Sequence, residues 1–250
     1  MPRLISPLLA AFDACLAQSE QDLNRLQALG ATSVRLAGNI KYDAAALPVD
    51  EIALNILRHE IRDRPHWLAA STHPGDEAAA AQAHSFLADA IPGLLTLIAP
   101  RHPQRSSEIA ELLRGRGHVV AIRSAGDAID ANTDIYVADT LGEMGLLYRL
   151  AGTVFIAGSL NSHGGHNPVE AALLENALLA GPDMRNFEDA CESLEAAGAM
   201  GRIARADTLS DALQPLLSDP ELRQKRAQAA CATARSLGGA SDPTLTEIMR

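Results

Sequence analysis

Short β-prone apolar runs alternate along the chain with longer runs of helical period, and that alternation predicts a parallel sheet covered by helices on both faces. Strands are predicted at 14–18, 34–37, 67–71, 94–99, 118–122, 135–138, 154–157, 178–180 and 201–204. Most of these runs are apolar throughout instead of alternating in and out, as strands buried on both faces are. Helices fit between them. Ser19 and Asp22 make a capping-box-like start for a helix that ends near Gly30. Amphipathic segments follow at 51–59, 76–90, 104–114, 141–150, 168–176, 187–197, 208–217 and 221–236. The fold class is therefore α/β, a doubly wound parallel sheet, without the internal period of roughly 20–50 residues that marks a repeat protein.

Residues 39–48, Asn-Ile-Lys-Tyr-Asp-Ala-Ala-Ala-Leu-Pro, follow a strand ending at Gly38 and precede a fresh helix-strand series, so they read as a linker. Residues 1–40 then form a strand-helix-strand piece too small to own a core. It is either an extra edge on the main domain, residues 41–250 with a C-terminal helix, or the tail of a preceding domain.

Composition narrows the function classes. At 47% hydrophobic and 21% charged, the 250 residues suit a soluble globular chain. A formal charge of −10 argues against nucleic acid or an anionic membrane surface as partner, so any phosphate site has to be local. No apolar run reaches the roughly 18 residues that a membrane span requires. The best stretch, 146–160, is broken by Arg149. Met1-Pro2-Arg3 leads straight into an amphipathic pattern with no secretory h-region. The three cysteines, Cys15, Cys191 and Cys231, are scattered and read as buried thiols in a reducing compartment.

In an open parallel sheet, ligands bind beyond the carboxyl ends of the strands. Four segments there concentrate glycine, histidine, arginine and hydroxyl residues: Ser71 to Glu77, Pro100 to Arg105, Asp139 to Gly145, and Gly158 to Glu170. Gly142 and Gly145 flank the first turn of a predicted helix, where free amides and the helix dipole favour an anion, although a plain helix start also accounts for them. Asn167 suits an N-cap and Pro168 the position after it. Glu170 either closes a capping box with Asn167 or accepts hydrogen bonds from the vicinal hydroxyls of a ribose. Arg101 and Arg105 offer forked donors to phosphate or carboxylate, and His102 adds another. His73 and His166 share that edge and serve either a ligand or a loop carbonyl. His163 and His166, with two glycines between them, suit neither a zinc cage nor a helical histidine pair, so no metal site is predicted. G-x-G-x-x-G, P-loop and G-x-S-x-G signatures are absent. What remains suits the donor half of a glycosyltransferase built from two facing Rossmann-like domains.

The stretches Leu16-Ala17-Gln18-Ser19-Glu20, Gly38-Asn39-Ile40-Lys41-Tyr42-Asp43, Ala70-Ser71-Thr72-His73-Pro74-Gly75-Asp76-Glu77, Pro100-Arg101-His102-Pro103-Gln104-Arg105, Asp139-Thr140-Leu141-Gly142-Glu143-Met144-Gly145-Leu146-Leu147-Tyr148 and Gly164-Gly165-His166-Asn167-Pro168-Val169-Glu170 occur in one order. Together they resemble the 3-deoxy-D-manno-octulosonic acid (Kdo) transferases of lipopolysaccharide synthesis, over the second half of that family's usual length. The resemblance implies a GT-B fold. It makes residues 1–40 a remnant of the N-terminal domain and 41–250 the nucleotide-sugar donor-binding domain. CMP-Kdo is the implied donor, and a lipid A precursor, held mainly by the N-terminal half, the implied acceptor. The implied reaction is an inverting, metal-independent displacement without a cofactor, at the cytosolic face of the bacterial inner membrane.

Pro100, Arg101, His102, Leu141, Gly142, Glu143, Met144, Asn167, Pro168, Val169 and Glu170 become the implied CMP-binding residues, with Thr72, His73, Arg105, Gly165 and His166 behind them. No catalytic residue is implied in this chain, because the family's carboxylate base lies in its N-terminal half. A nucleotide-sugar 2-epimerase of the same architecture and a non-catalytic remnant stay open as alternatives.

Overall fold

The computed structural model describes residues 2–43 and 46–249. The chain divides into two compact units, Met1–Ala45 with Ala234–Arg250, and Ala46–Thr233. Residues 234–250 thus group with the N-terminal piece, whereas the linker pattern had left them with the main domain.

The first unit begins with α1 (Pro2–Leu9), β1 (Cys15–Ala17), α2 (Glu20–Ala28) and β2 (Val34–Leu36). The two strands pair in parallel, Cys15 opposite Val34. Ser19 caps α2 by accepting the Asp22 N–H at 3.1 Å, as its sequence position predicts. A 3-10 turn at Ile40–Asp43 occupies part of the expected linker and buries Tyr42, while residues 44–45 of that linker lie outside the described residues. Asp43 accepts the backbone N–H groups of Gly239, Ala240 and Ser241. Leu4, Leu8, Phe12, Leu36, Ile40, Leu245, Ile248 and Met249 stay exposed, as follows when two three-residue strands have little sheet to cover.

The second unit runs through α3 (Glu51–Ile61), β3 (His66–Thr72), α4 (Asp76–Ala88), β4 (Leu95–Pro100), α5 (Ser106–Gly115), β5 (Val120–Ile122), β6 (Ile135–Val137), α6 (Met144–Ala151), β7 (Thr153–Ile156), α7 (Pro168–Leu173), β8 (Ala177–Ala180), α8 (Glu188–Ala196), β9 (Met200–Arg202) and α9 (Leu209–Ser218). The helix α10 (Pro220–Leu237) then leads to α11 (Ser241–Ile248) of the first unit. Seven parallel strands lie in the order β5-β6-β4-β3-β7-β8-β9. Trp67, Ala69, Ile98, Val137, Phe155 and Leu179 form one core with residues of α4, α5 and α9, among them Ala80, Ile109 and Leu213. The intervening strand residues, such as Leu68, Leu97 and Val154, are equally buried, which is why the strand sequences are apolar throughout. Each fully buried large side chain of this kind contributes roughly 1.5–3 kcal/mol.

Every predicted strand has a counterpart. The helix expected from 141 starts later, at Met144, because Gly142 takes a left-handed φ of 83°. Neither α1 nor α11 was predicted. Each contains a proline, Pro7 and Pro243, that reads as a breaker, although Pro243 lies in the first turn of α11, where its lost N–H has no intrahelical acceptor. Cys191 and Cys231 are buried free thiols as expected, whereas Cys15 is half-buried. Among the described residues no helix is long and apolar enough to cross a membrane.

The chain steps outward from β3 to β4 and beyond, then returns to β7 on the other flank of β3. That reversal makes the carboxyl ends of β3 and β7 the switch point of the sheet, the place where open α/β sheets take ligands.

Candidate functional site

At its carboxyl end β3 loses regular register between Ala70 and Thr72, where Ser71 takes a φ of 60°. The irregularity re-aims the strand end. Thr72 is fully buried and its hydroxyl donates to Glu77 Oε1 at 2.9 Å. Arg105 reaches the same oxygen from the loop after β4 at 2.8 Å and meets the exposed Glu108 at 3.1 Å. Thr72 and Arg105, both expected near a ligand, therefore share a protein partner, the buried Glu77.

Asp76, the first residue of α4, is 1% exposed. Its Oδ2 accepts the N–H of His73 at 2.9 Å and the N–H of Gly158 at 2.8 Å. One carboxylate thus ties the loop after β3 to the loop after β7. Burial pushes this carboxyl above its ordinary range, against the pull of the two hydrogen bonds. Gly158, at φ 68°, is required there: a Cβ would stand 3.1 Å from the His166 ring and 3.2 Å from the His73 ring.

Over that glycine four imidazoles gather. His73 Nε2 lies 3.0 Å from His166 Nε2, so one of the two nitrogens donates and the other accepts. The His163 ring stacks on His73 at 4.1 Å between centroids, and His102 approaches edge-on at 5.9 Å. Arg101 lies on the same rim. Its backbone N–H donates to Thr72 O at 3.0 Å, and its exposed guanidinium makes no ion pair among the described residues. Burial first, then His163, His166, His102 and Arg101, pull the His73 imidazole down to about 4. Burial, then Arg101, also holds His166 below its ordinary value. At neutral pH these two rings are uncharged.

The glycine-rich segment after β7 owes its composition to close packing. A Cβ on Gly164 would stand 2.4 Å from Asn186 Nδ2, and one on Gly165 would stand 2.2 Å from Met184 Sδ. Asn167 caps α7 by accepting the Val169 N–H at 3.0 Å, with Pro168 next and Val169 buried. Asn167 Nδ2 donates to Glu170 Oε1 at 3.3 Å in place of the reciprocal backbone bond of a full capping box. Glu170 Oε2 has no partner among the described residues, and burial pushes this carboxyl up. Burial, and secondarily the Glu170 charge, raise the Tyr148 hydroxyl of α6 as well.

In the segment after β6, Leu141 is 83% exposed and Gly142 faces open space. Arg123 grips Glu143 at 2.7 and 3.0 Å, and the Thr140 hydroxyl donates to it too. Gly145 serves packing: a Cβ there would stand 2.1 Å from the Pro48 carbonyl oxygen. Of the two glycines expected to admit an anion, Gly142 is open, and Met144 begins the helix behind it.

The strands β6, β4, β3 and β7 are consecutive in the sheet, so Gly142, Arg101, His73 and Glu170 all leave from one edge of it. The roles of Asp76, Glu77, Arg123 and the His163 ring were not found from sequence. An acidic residue opening the helix after a strand, as Asp76 does, was the available signal.

A family model described as 3-deoxy-D-manno-octulosonic-acid transferase (kdotransferase) matches residues 1–44. The 3-deoxy-D-manno-octulosonic acid transferase of Bordetella pertussis is 36% identical over 247 residues, covering 96% of this chain and 57% of that protein. The Haemophilus influenzae protein of the same name is 35% identical over 77% of this chain and 45% of its own length. The chain thus spans about half the length of the curated relatives it matches. Among solved structures, the C-terminal CMP-Kdo binding domain of WaaA from Acinetobacter baumannii superposes with a TM-score of 0.67 and 28% identity, over 74% of this chain and 96% of that one. The shared architecture is the Rossmann-like domain of a GT-B glycosyltransferase.

Proposed function

We propose, from its membership of the 3-deoxy-D-manno-octulosonic acid transferase family, that this chain supplies the donor half of an enzyme moving Kdo from CMP-Kdo to a lipid A precursor in lipopolysaccharide synthesis. The observation that carries this is the placement of Arg101, the imidazole cluster, Gly142 and Glu170 at the carboxyl edge of four adjacent strands. Arg101 and the imidazoles face the phosphate, the start of α6 adds its amides, and Glu170 Oε2 accepts from the ribose. Residues 1–40 belong to an acceptor domain whose remainder lies in the part of the relatives that this chain does not span. The apolar side chains exposed in the first unit support that division. The acceptor domain brings the carboxylate base and works at the cytosolic face of the inner membrane.

In the reaction the base takes the proton of the acceptor hydroxyl and the freed oxygen attacks the anomeric carbon of Kdo with inversion. The bond from that carbon to the phosphate oxygen breaks, and its electron pair leaves on CMP. Fixed positive charge aimed at the departing phosphate lowers the barrier without a metal. Calorimetric titration with CMP in buffer free of divalent ions is expected to show saturable binding that UDP does not match. No heat at millimolar CMP with folded protein overturns this reading, and a preference for UDP favours the epimerase.

Arg101→Ala removes a charge-assisted bond to phosphate worth about 1.5–3 kcal/mol. CMP affinity is expected to fall roughly 10- to 150-fold, with an unchanged melting temperature because the guanidinium is exposed and makes no ion pair among the described residues. A second expectation concerns pH. His73 and His166 face Arg101, His102, His163 and Asp76, and both imidazoles sit below their ordinary value in the free protein. A bound phosphate favours their charged forms, so binding takes up protons and affinity rises as pH is lowered from about 8 to about 6. Stability of the free protein moves the other way. Unfolded imidazoles bind more protons than these folded ones below about 6.5, so stability is lost as pH falls from there toward 4. Calorimetry in buffers of different ionisation enthalpy measures the proton uptake.

A further inference from the structure

At the amino ends of the strands, away from the edge that carries Arg101 and Glu170, three side chains with metal-ligand chemistry meet from separate elements. His84 comes from α4, His118 stands shortly before β5, and Asp134 immediately precedes β6. One ligand atom of each lies within 4.8 Å of the others. His84 Nε2 is 3.8 Å from Asp134 Oδ1, and the His118 ring stands edge-on to His84 with centroids 5.3 Å apart.

The outer atoms of this group are already engaged in a way that orients the inner ones. His84, 3% exposed, uses Nδ1 on the Thr96 hydroxyl at 3.0 Å, which leaves Nε2 turned inward. Asp134 accepts the Val119 N–H through Oδ2 at 2.8 Å, which leaves Oδ1 for the interior. Supporting bonds of this kind fix the tautomer and direction of metal-binding side chains. An ordinary ion pair does not explain the arrangement. The 3.8 Å separation is longer than a hydrogen bond. The nearby Arg64 guanidinium is committed to the carbonyls of Gly93, Leu94, Asp130 and Thr133.

We propose that His84, His118 and Asp134 bind one divalent ion of the zinc type. Two imidazoles and one carboxylate select zinc-like ions over magnesium or calcium, which prefer all-oxygen sites. Bonds of about 2.0–2.2 Å from each ligand require the three atoms to close to roughly 3.3 Å, a movement left to the partly exposed His118 and Asp134, with water in the fourth position. The ion would clamp α4 to the segments leading into β5 and β6, the outer strands on that side of the sheet, and would take no part in sugar transfer.

The experiment titrates chelator-treated, dialysed full chain with zinc, reads stoichiometry by calorimetry, and repeats the titration with cobalt to read the visible bands of a tetrahedral site. One ion per chain is expected, with saturating zinc raising the melting temperature by roughly 5 °C. His118→Ala and Asp134→Asn, both at partly exposed positions, are expected to abolish the cobalt bands and the thermal shift while melting like the parent without metal. His163→Ala, at the opposite edge, is expected to retain both. No binding by the parent overturns the proposal, as does binding that survives His118→Ala and disappears with His163→Ala. If either site variant melts below the parent without metal, cobalt bands retained by the folded variant at low temperature overturn the proposal and their loss supports it.

Discussion

Arg105→Ala is expected to destabilise the second unit by about 3–5 kcal/mol, the cost of leaving one member of a buried pair without the other. The side chain of Glu77 is 1% exposed, and its Oε1 receives both Arg105 at 2.8 Å and the Thr72 hydroxyl at 2.9 Å. Its Oε2 is buried without a hydrogen-bond partner, so the carboxylate has no other cation to turn to within the described residues. The companion ion pair with Glu108, which is 69% exposed, contributes little. Chemical denaturation measures the loss. The double variant Arg105→Ala with Glu77→Gln should recover most of it, because the amide needs no cation. A loss below about 1 kcal/mol for the single variant would show the pair to be a surface contact energetically. CMP affinity at low temperature, where the variant is folded, separates this structural role from direct contact with phosphate.

Asp76→Ala is expected to cost about 2–4 kcal/mol and to weaken CMP binding with it, because it orphans the N–H groups of His73 and Gly158, and each buried donor left unpaired costs about 1–3 kcal/mol. Asp76→Asn should be far milder. The amide oxygen can accept both N–H groups, and the NH2 falls where the carboxylate leaves Oδ1 buried and unpartnered. The pair of variants therefore distinguishes loss of the acceptor from loss of the charge. Hydrogen exchange at the amides of His73 and Gly158 reports the same contrast locally, with fast exchange in the alanine variant alone. Equal destabilisation by both substitutions would mean that the negative charge, not the two hydrogen bonds, joins the loops.

The centre of the sheet was legible because β4, β6, β7 and β8, and nearly all of β3, are buried on both faces and so announce themselves as unbroken apolar runs; Leu68 to Ala70 and Val154 to Ile156 are examples. The carboxyl edge was legible because glycine, histidine, arginine and hydroxyl residues crowd together in the segments after β3, β4, β6 and β7. What those residues hold was less so. Nothing local marks Arg105 as the partner of Glu77, since the two are 28 positions apart and meet where β3 loses register at Ser71. Glycines misled for a related reason. Gly145 and Gly165 look ready for a ligand in sequence, yet the atoms that need their missing Cβ belong to Pro48 and Met184. His84, His118 and Asp134 carry no spacing signature, because three separate elements bring them together. In α1 the sequence reads against the element that forms, because Pro7 sits inside the helix, whereas Pro243 in the first turn of α11 is compatible with a helix there.

Gly142, Arg101, His73 and Glu170 depart from four adjacent strands, but their loops are not equally independent. Those after β3, β4 and β7 are laced together through Asp76 and Glu77, so a change of length in one disturbs its neighbours. The loop after β6 is held instead by Arg123 on Glu143, which makes it the segment whose exchange between relatives offers a direct route to altered donors.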